Sequence, residues 1–193
     1  MATVLFAKCI PNKKGVQLGV LVDDEKCTFT VSEATYVALK SPGVGFEMSE
    51  SDLGTVRFED EYRRAFSKAL GYLSLSDKSR FELKMKLLRA GFSGEASEMA
   101  ISRILELGYL DEDRQLERAV EKEANYGLRG RYYIKRKLSS KGYSVHAISS
   151  AIDRLTERGE VDFSANFERL AQKKGAVTFE DRRALEYKFG YKI

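Results

Sequence analysis

The chain has no tryptophan, two prolines, two cysteines and one histidine among its 193 residues. So few prolines exclude a long proline-rich linker, and a 43% hydrophobic share supplies enough apolar surface for a packed core. Cys9 and Cys27 stand at no metal-ligand spacing. Each lies in an alternating apolar stretch, which predicts buried, reduced thiols and a cytoplasmic address. No apolar run reaches the roughly 20 residues that a membrane-spanning helix needs, so no membrane contact is expected. Lys8 interrupts the apolar opening at residues 1–10 and no small-residue cleavage site follows. That segment is read as a strand and not as a signal peptide.

Catalytic groups are scarce as well. His146 has no cysteine or carboxylate at ligand or triad spacing, and at a helix start it is expected to cap or to face solvent. Gly127-Leu128-Arg129-Gly130 lacks the lysine–hydroxyl pair that holds a nucleotide and its magnesium. Asp111-Glu112-Asp113 follows Gly108-Tyr109-Leu110 and reads as an acidic helix start that offsets the helix dipole, ahead of a cation site. No catalytic residue, metal ligand or cofactor is expected.

What the chain does contain is a copy of itself. Shifted by 51 positions, Arg80, Lys84, Lys86, Leu87, Gly91 and Ser93 fall on Arg131, Lys135, Lys137, Leu138, Gly142 and Ser144. Ala100, Ile101, Arg103, Glu106, Gly108 and Asp111 then fall on Ala151, Ile152, Arg154, Glu157, Gly159 and Asp162. Such a period marks stacked units, each too small to bury its own apolar face. Repeat arrays make long surfaces, which favours binding over catalysis.

The first 56 residues differ from the rest. Residues 3–10, 16–22 and 26–31 are β-branched and apolar, joined by Asn12-Lys13-Lys14-Gly15 and by Asp23-Asp24-Glu25. Ser32 is placed to cap a helix over 33–40 that Ser41-Pro42-Gly43 ends; residues 44–56 are ambiguous. From about Phe58 the period becomes helical, with Tyr62, Phe66, Ala69, Leu70 and Leu73 as one buried stripe. A helix over 79–90 turns Leu83, Leu87 and Leu88 inward and closes at Gly91-Phe92. The next, capped by Ser93, turns Met99, Ala100, Ile104 and Leu105 inward and stops at Gly108-Tyr109. The second copy repeats this with Leu116, Ala119, Val120 and Ala124, then Ile134 and Leu138, then Ala147, Ile148, Ala151, Ile152 and Leu155. A third begins at 164–174 and continues at 181–189. The expected organisation is a β-rich cap (1–56), a first three-helix repeat (57–110), a second (111–161) and a shortened third (162–193). The fold class is mainly α, with elongated, curved, helix-turn-helix-like tandem repeats behind a small β-rich N-terminal domain.

The net charge of +4 conceals an imbalance. Residues 1–56 carry five basic and seven acidic side chains, against 28 and 22 in residues 57–193. Between Ala124 and Ile152 there are six cations (Arg129, Arg131, Lys135, Arg136, Lys137, Lys141) and no acid. At 100° per residue, Ile134 and Leu138 fall on one side of their helix. Tyr132, Tyr133, Lys135, Arg136 and Lys137 spread over the other. The matching face of the first copy carries Phe81, Lys84, Met85 and Lys86, with Glu82 among them. Cations among aromatics suit a phosphate backbone or an acidic protein groove; an ordinary solvated helix face fits the same residues. Each unit also has the plan of a helix-turn-helix, which leaves open an autonomous nucleic-acid-binding protein.

Several motifs in order resemble one bacterial family. Gly108-Tyr109-Leu110-Asp111-Glu112-Asp113 resembles the G-Y-L/I-D/N-D pattern of the RecX regulatory family. Ala69-Leu70-Gly71-Tyr72-Leu73 followed by Ser79-Arg80-Phe81-Glu82-Leu83 is similar to its A-L-x-Y-L…R-S-x-x-E-L. Residues 134–138 followed by Lys141-Gly142-Tyr143 are similar to its I…E-L…K-G-I. The resemblance covers residues 57–193, and the β-rich segment is similar to an N-terminal extension of some members. Three positions depart from the pattern: Asp77-Lys78 replaces an arginine, Lys137 a glutamate and Glu117 an alanine. The resemblance implies a modulator of the RecA recombinase. It would bind the RecA filament on single-stranded DNA along its groove, as a monomer. There it would restrain filament extension, ATP hydrolysis, strand exchange and co-protease activity, and so act in DNA repair and the SOS response. Arg80, Lys84, Lys86, Arg131, Lys135, Arg136 and Lys137 are the expected contact residues, with Tyr132 and Tyr133 as aromatic anchors.

Overall fold

The computed structural model describes residues 2–10 and 15–192. The turn expected at Asn12-Lys13-Lys14 lies outside the described residues. Strands β1 (Ala2–Ile10), β2 (Gly15–Val22), β3 (Glu25–Ser32) and β4 (Glu47–Met48) form an antiparallel sheet in the order β3-β2-β1-β4. Val22 pairs with Glu25, so only Asp23 and Asp24 make the hairpin turn. Both have positive φ, 47° and 66°, the geometry whose twist matches that of the flanking strands. Gly19 lies under the Phe6 ring, where an added Cβ would sit 2.2 Å from the ring edge.

Helix α1 (Glu33–Ala38) starts at Ser32, whose hydroxyl accepts from the Thr35 amide. The ambiguous stretch resolves into β4 and the start of α2 (Glu50–Leu75). Leu53 and Val56 of α2 join Val4, Leu18, Val20 and Val31 in one buried cluster against the sheet. One turn on, the buried Asp60 carboxylate accepts from the Thr30 amide at 2.9 Å, and Glu59 accepts from the Ser32 amide. Two backbone donors at the end of edge strand β3 are thereby satisfied by α2.

The helices that follow are α3 (Arg80–Arg89), α4 (Gly94–Glu106), α5 (Glu112–Glu121), α6 (Arg131–Ser139), α7 (Val145–Glu157), α8 (Phe163–Lys174) and α9 (Phe179–Lys188). Their ends repeat with the 51-residue period. Ser93 and Ser144 cap α4 and α7, each hydroxyl accepting from the amide three residues on. Asp111 and Asp162 cap α5 and α8 in the same way. Gly91 and Gly142 close α3 and α6, both at φ +89°, and Gly108 and Gly159 close α4 and α7 at +71° and +72°. The amides of Phe92, Tyr109 and Tyr143 then donate to carbonyls five residues back, as the left-handed closure requires. The fold is mainly α, built of tandem three-helix repeats with a small β-rich N-terminal domain.

The contacts divide into two compact units, one of Met1–Ser74 with Lys84–Tyr109, the other of Leu75–Leu83 with Leu110–Ile193. In the second, Leu116, Val120, Ala124, Ile134, Leu138, Ile148, Ala151, Ile152 and Leu155 form the core, as their spacing predicted.

Other expectations need correction. Cys9 is exposed and Cys27 half-buried, so neither thiol is buried. Cys9 lies on the part of β1 that runs on past its two-residue pairing with β4, where alternation no longer means a covered face. Leu88 and Met99 face outward, at 37% and 45% exposure, while Ile101, which the pattern omitted, is fully buried. In α2 the fully buried positions of the expected stripe are Ala69 and its neighbour Ala65; Tyr62, Phe66, Leu70 and Leu73 are half-buried. Helix α9 starts at Phe179, three residues ahead of its place in the period, because Thr178 and Asp181 form a capping box. A π-helical turn, Lys122–Tyr126, extends α5 without any sequence signal that spacing alone would reveal.

Candidate functional site

Helix α6 begins at Gly130, which has no side chain to cap it. The corresponding residue of the first copy, Ser79, closes a reciprocal box with Glu82: the Glu82 amide donates to the Ser79 hydroxyl, and the Ser79 amide to the Glu82 carboxylate, each at 3.1 Å. In α6 the C-terminal segment takes that role. The Gly130 amide donates to the Phe189 carbonyl at 2.8 Å and the Tyr132 amide to the Gly190 carbonyl at 3.0 Å. Residues 187–192 are thereby fixed beside the cationic face of α6.

That face is partly neutralised. Arg131 pairs with Asp153 at 3.0 Å and lies over the Phe163 ring, and Lys137 pairs with Glu123 at 2.6 Å. Glu123 and Asp153 are the residues that immediately bound the acid-free stretch, so the imbalance visible in the sequence is trimmed from its two ends. Lys141 reaches Glu82 at 3.9 Å. Among the described residues, Lys135 and Arg136 make no ion pair with a carboxylate, and Arg136 is exposed. Arg129, one of the six cations of the acid-free stretch but not among the expected contact residues, is held between the Tyr133 and Phe189 rings, 4.3 and 4.6 Å from their centroids.

Tyr132, Tyr133 and Arg136 come together with Tyr187, Lys188 and Lys192 around a cleft of about 280 Å³, with Gly190 in its wall. Tyr132 and Tyr187 are half exposed, at 47% and 48%. The expected residues of the first copy are not among those that line this cleft. Arg80 lies on the first turn of α3, its amide donating to Glu112 at 2.8 Å. Lys84 pairs with Glu98 at 2.7 Å, and Lys86 lies 5.2 Å from the centroid of Tyr72.

The three departures from the family pattern share one fate. Glu117 takes the guanidinium groups of Arg154 at 2.8 Å and Arg158 at 3.3 Å, Lys137 takes Glu123, and Asp77 lies 3.9 Å from Arg118. Each is absorbed by an ion pair. The Arg154 hydrogen bond, with Arg158 beside it, holds the Glu117 carboxyl below the usual carboxylate range. Tyr143 is pushed up to about 12, first by burial and then by the negative charges of Glu112, Glu82 and Asp77. Burial likewise raises Tyr191 to about 12; among the described residues its hydroxyl has no hydrogen-bond partner, and its ring meets Phe167 edge-on at 5.0 Å. His146 is exposed on the first turn of α7, where the cap is Ser144.

Known proteins show the same pattern. The model of the RecX first three-helix domain matches residues 65–103. The chain is 29% identical over 148 residues to the regulatory protein RecX of Lactobacillus johnsonii, covering 77% of this chain and 54% of that one. It is 32% identical over 111 residues to the RecX protein of Stenotrophomonas maltophilia, covering 58% and 65%. It thus spans little more than half the length of the first relative. A crystal structure of regulatory protein RecX superposes with a TM-score of 0.71 at 18% identity, covering 99% of this chain and 93% of that one. The structure of RecX from Lactobacillus salivarius gives 0.56 at 21% identity, covering 69% and 88%. Part of the chain thus matches the first three-helix domain of RecX, and these relatives are regulatory proteins of that name. The fold is that of RecX structures, so in sequence and fold this chain is similar to the RecX regulatory proteins.

Proposed function

We propose that the chain binds the RecA filament on single-stranded DNA and restrains its extension, and with it ATP hydrolysis, strand exchange and co-protease activity. It acts in the cytoplasm as a monomer, by occupying a surface and not by catalysis. Similarity to proteins named as RecX regulators is the observation that supports this reading. The contact residues are Arg80, Lys84, Lys86, Arg131, Lys135, Arg136 and Lys137, anchored by Tyr132 and Tyr133. Lys135 and Arg136, free of acid partners, supply attraction at the least cost in broken ion pairs. The repeats at 57–110, 111–161 and 162–193 present these residues, behind the β-rich cap at 1–56. Cosedimentation with RecA filaments on single-stranded DNA tests this. The chain should pellet with the filament, and Lys135→Glu with Arg136→Glu should leave it in the supernatant.

A further inference from the structure

We propose that the cleft between α6 and the C-terminal segment is a binding site for one unstacked nucleotide of a single strand, with RecA absent. The inference goes beyond the filament reading and stands without it. Its wall carries cations on both sides, Arg136 from α6 and Lys188 and Lys192 from the C-terminal segment, and among the described residues no carboxylate side chain lines it. Among the described residues, Lys192 alone of these three cations has an acid partner, Glu186 at 2.7 Å. The aromatic groups divide into two kinds. Tyr133 is already engaged by Arg129 and forms a fixed wall. Tyr132 and Tyr187 are half exposed at the cleft and carry free ring surface.

Unpaired cations beside exposed aromatic faces are the arrangement that holds single strands: the charge follows the backbone, and every base has a face to stack. At about 280 Å³ the cleft lies at the low end of small-molecule sites. That volume suits one base and its sugar. A duplex keeps its base faces stacked inside and offers none to Tyr132 or Tyr187, and an acidic peptide would use the cations while leaving both rings idle. The site exists only because the Phe189 and Gly190 carbonyls fix residues 187–192 against α6.

Fluorescence anisotropy with a labelled oligothymidine, free of RecA, tests the proposal. The full chain should bind it more tightly than a duplex of the same length. Tyr132→Ala and Tyr187→Ala should each weaken binding at least roughly fivefold, the low end of the range for one lost stack. Tyr187→Phe, which keeps the ring, should bind as the parent does. Arg136→Glu should lower affinity at least tenfold with unchanged thermal unfolding. Photocrosslinking to a bromouracil-substituted strand should label Tyr132 or Tyr187. No binding by the parent, equal affinity for duplex, unaffected tyrosine variants or crosslinks confined to other residues would overturn it. A parent chain that slows RecA yet fails to bind the oligonucleotide would sink this site and leave the filament reading standing.

Discussion

The carbonyl of Phe189 accepts a hydrogen bond from the amide of Gly130 at 2.8 Å, so the C-terminal segment serves as the cap that helix α6 lacks in its own sequence. Gly190 follows at φ +74°, and a Cβ added there would lie 2.5 Å from the Tyr133 amide nitrogen. A Cβ on Gly130 would meet the Gly190 carbonyl oxygen at 2.2 Å. Gly190→Ala therefore combines left-handed strain with a backbone clash and should cost about 2–4 kcal/mol in urea unfolding. Ala at Gly94, which has open space around it and an ordinary φ, should change stability by less than about 1 kcal/mol.

Core truncation gives a second expectation. Leu138 is 1% exposed and packs in the cluster with Ile134, Ile148 and Ile152. Leu138→Ala should destabilise by about 2–5 kcal/mol, whereas Leu88→Ala, at a position 37% exposed, should cost much less. Paired denaturant titrations compare the two.

The acid limb of stability involves Glu117. Its carboxyl is held low in the folded chain by Arg154 and Arg158. The contribution is complete above the unfolded carboxylate range and is lost as pH falls through the lower folded value. Glu117→Gln should therefore be less stable than the parent at neutral pH and converge on it in acid. Because the pair lies at the surface, with the Arg154 and Arg158 side chains 40% and 51% exposed, the difference should be small and should shrink further in high salt. Thermal unfolding from neutral pH downward measures it.

The alkaline limb has the opposite sign. Tyr143 and Tyr191 are raised to about 12 in the folded chain, so the unfolded chain loses its phenolic protons first. Their contribution is whole below pH 10, the ordinary tyrosine value, and fades as pH climbs toward about 12. Tyr143→Phe and Tyr191→Phe should flatten that decline. A steeper fall in the variants than in the parent would contradict the assignment.

Much of this architecture was legible because its determinants are local. Ser93 and Ser144, Gly91 and Gly142, and Asp111 and Asp162 set helix ends by chemistry within a few residues, so a 51-residue offset exposes them directly. The cleft was only half legible. Tyr132, Tyr133 and Arg136 stand on one helix face that periodicity can display, but Tyr187, Lys188 and Lys192 reach it through hydrogen bonds between residues some sixty positions apart. Arg129 escaped for a similar reason, since its second aromatic partner is Phe189. The charge count also overstated the free positive surface, because Glu123 and Asp153 lie just outside the window that lacked acids.

The central claim is restraint of RecA, and ATP turnover by preformed RecA filaments on single-stranded DNA tests it most directly. Adding this chain at or below an equal ratio to RecA should slow hydrolysis, and the Lys135→Glu, Arg136→Glu variant should slow it far less. Turnover that stays constant at every ratio, with the cognate recombinase and the folded parent chain, would contradict the account.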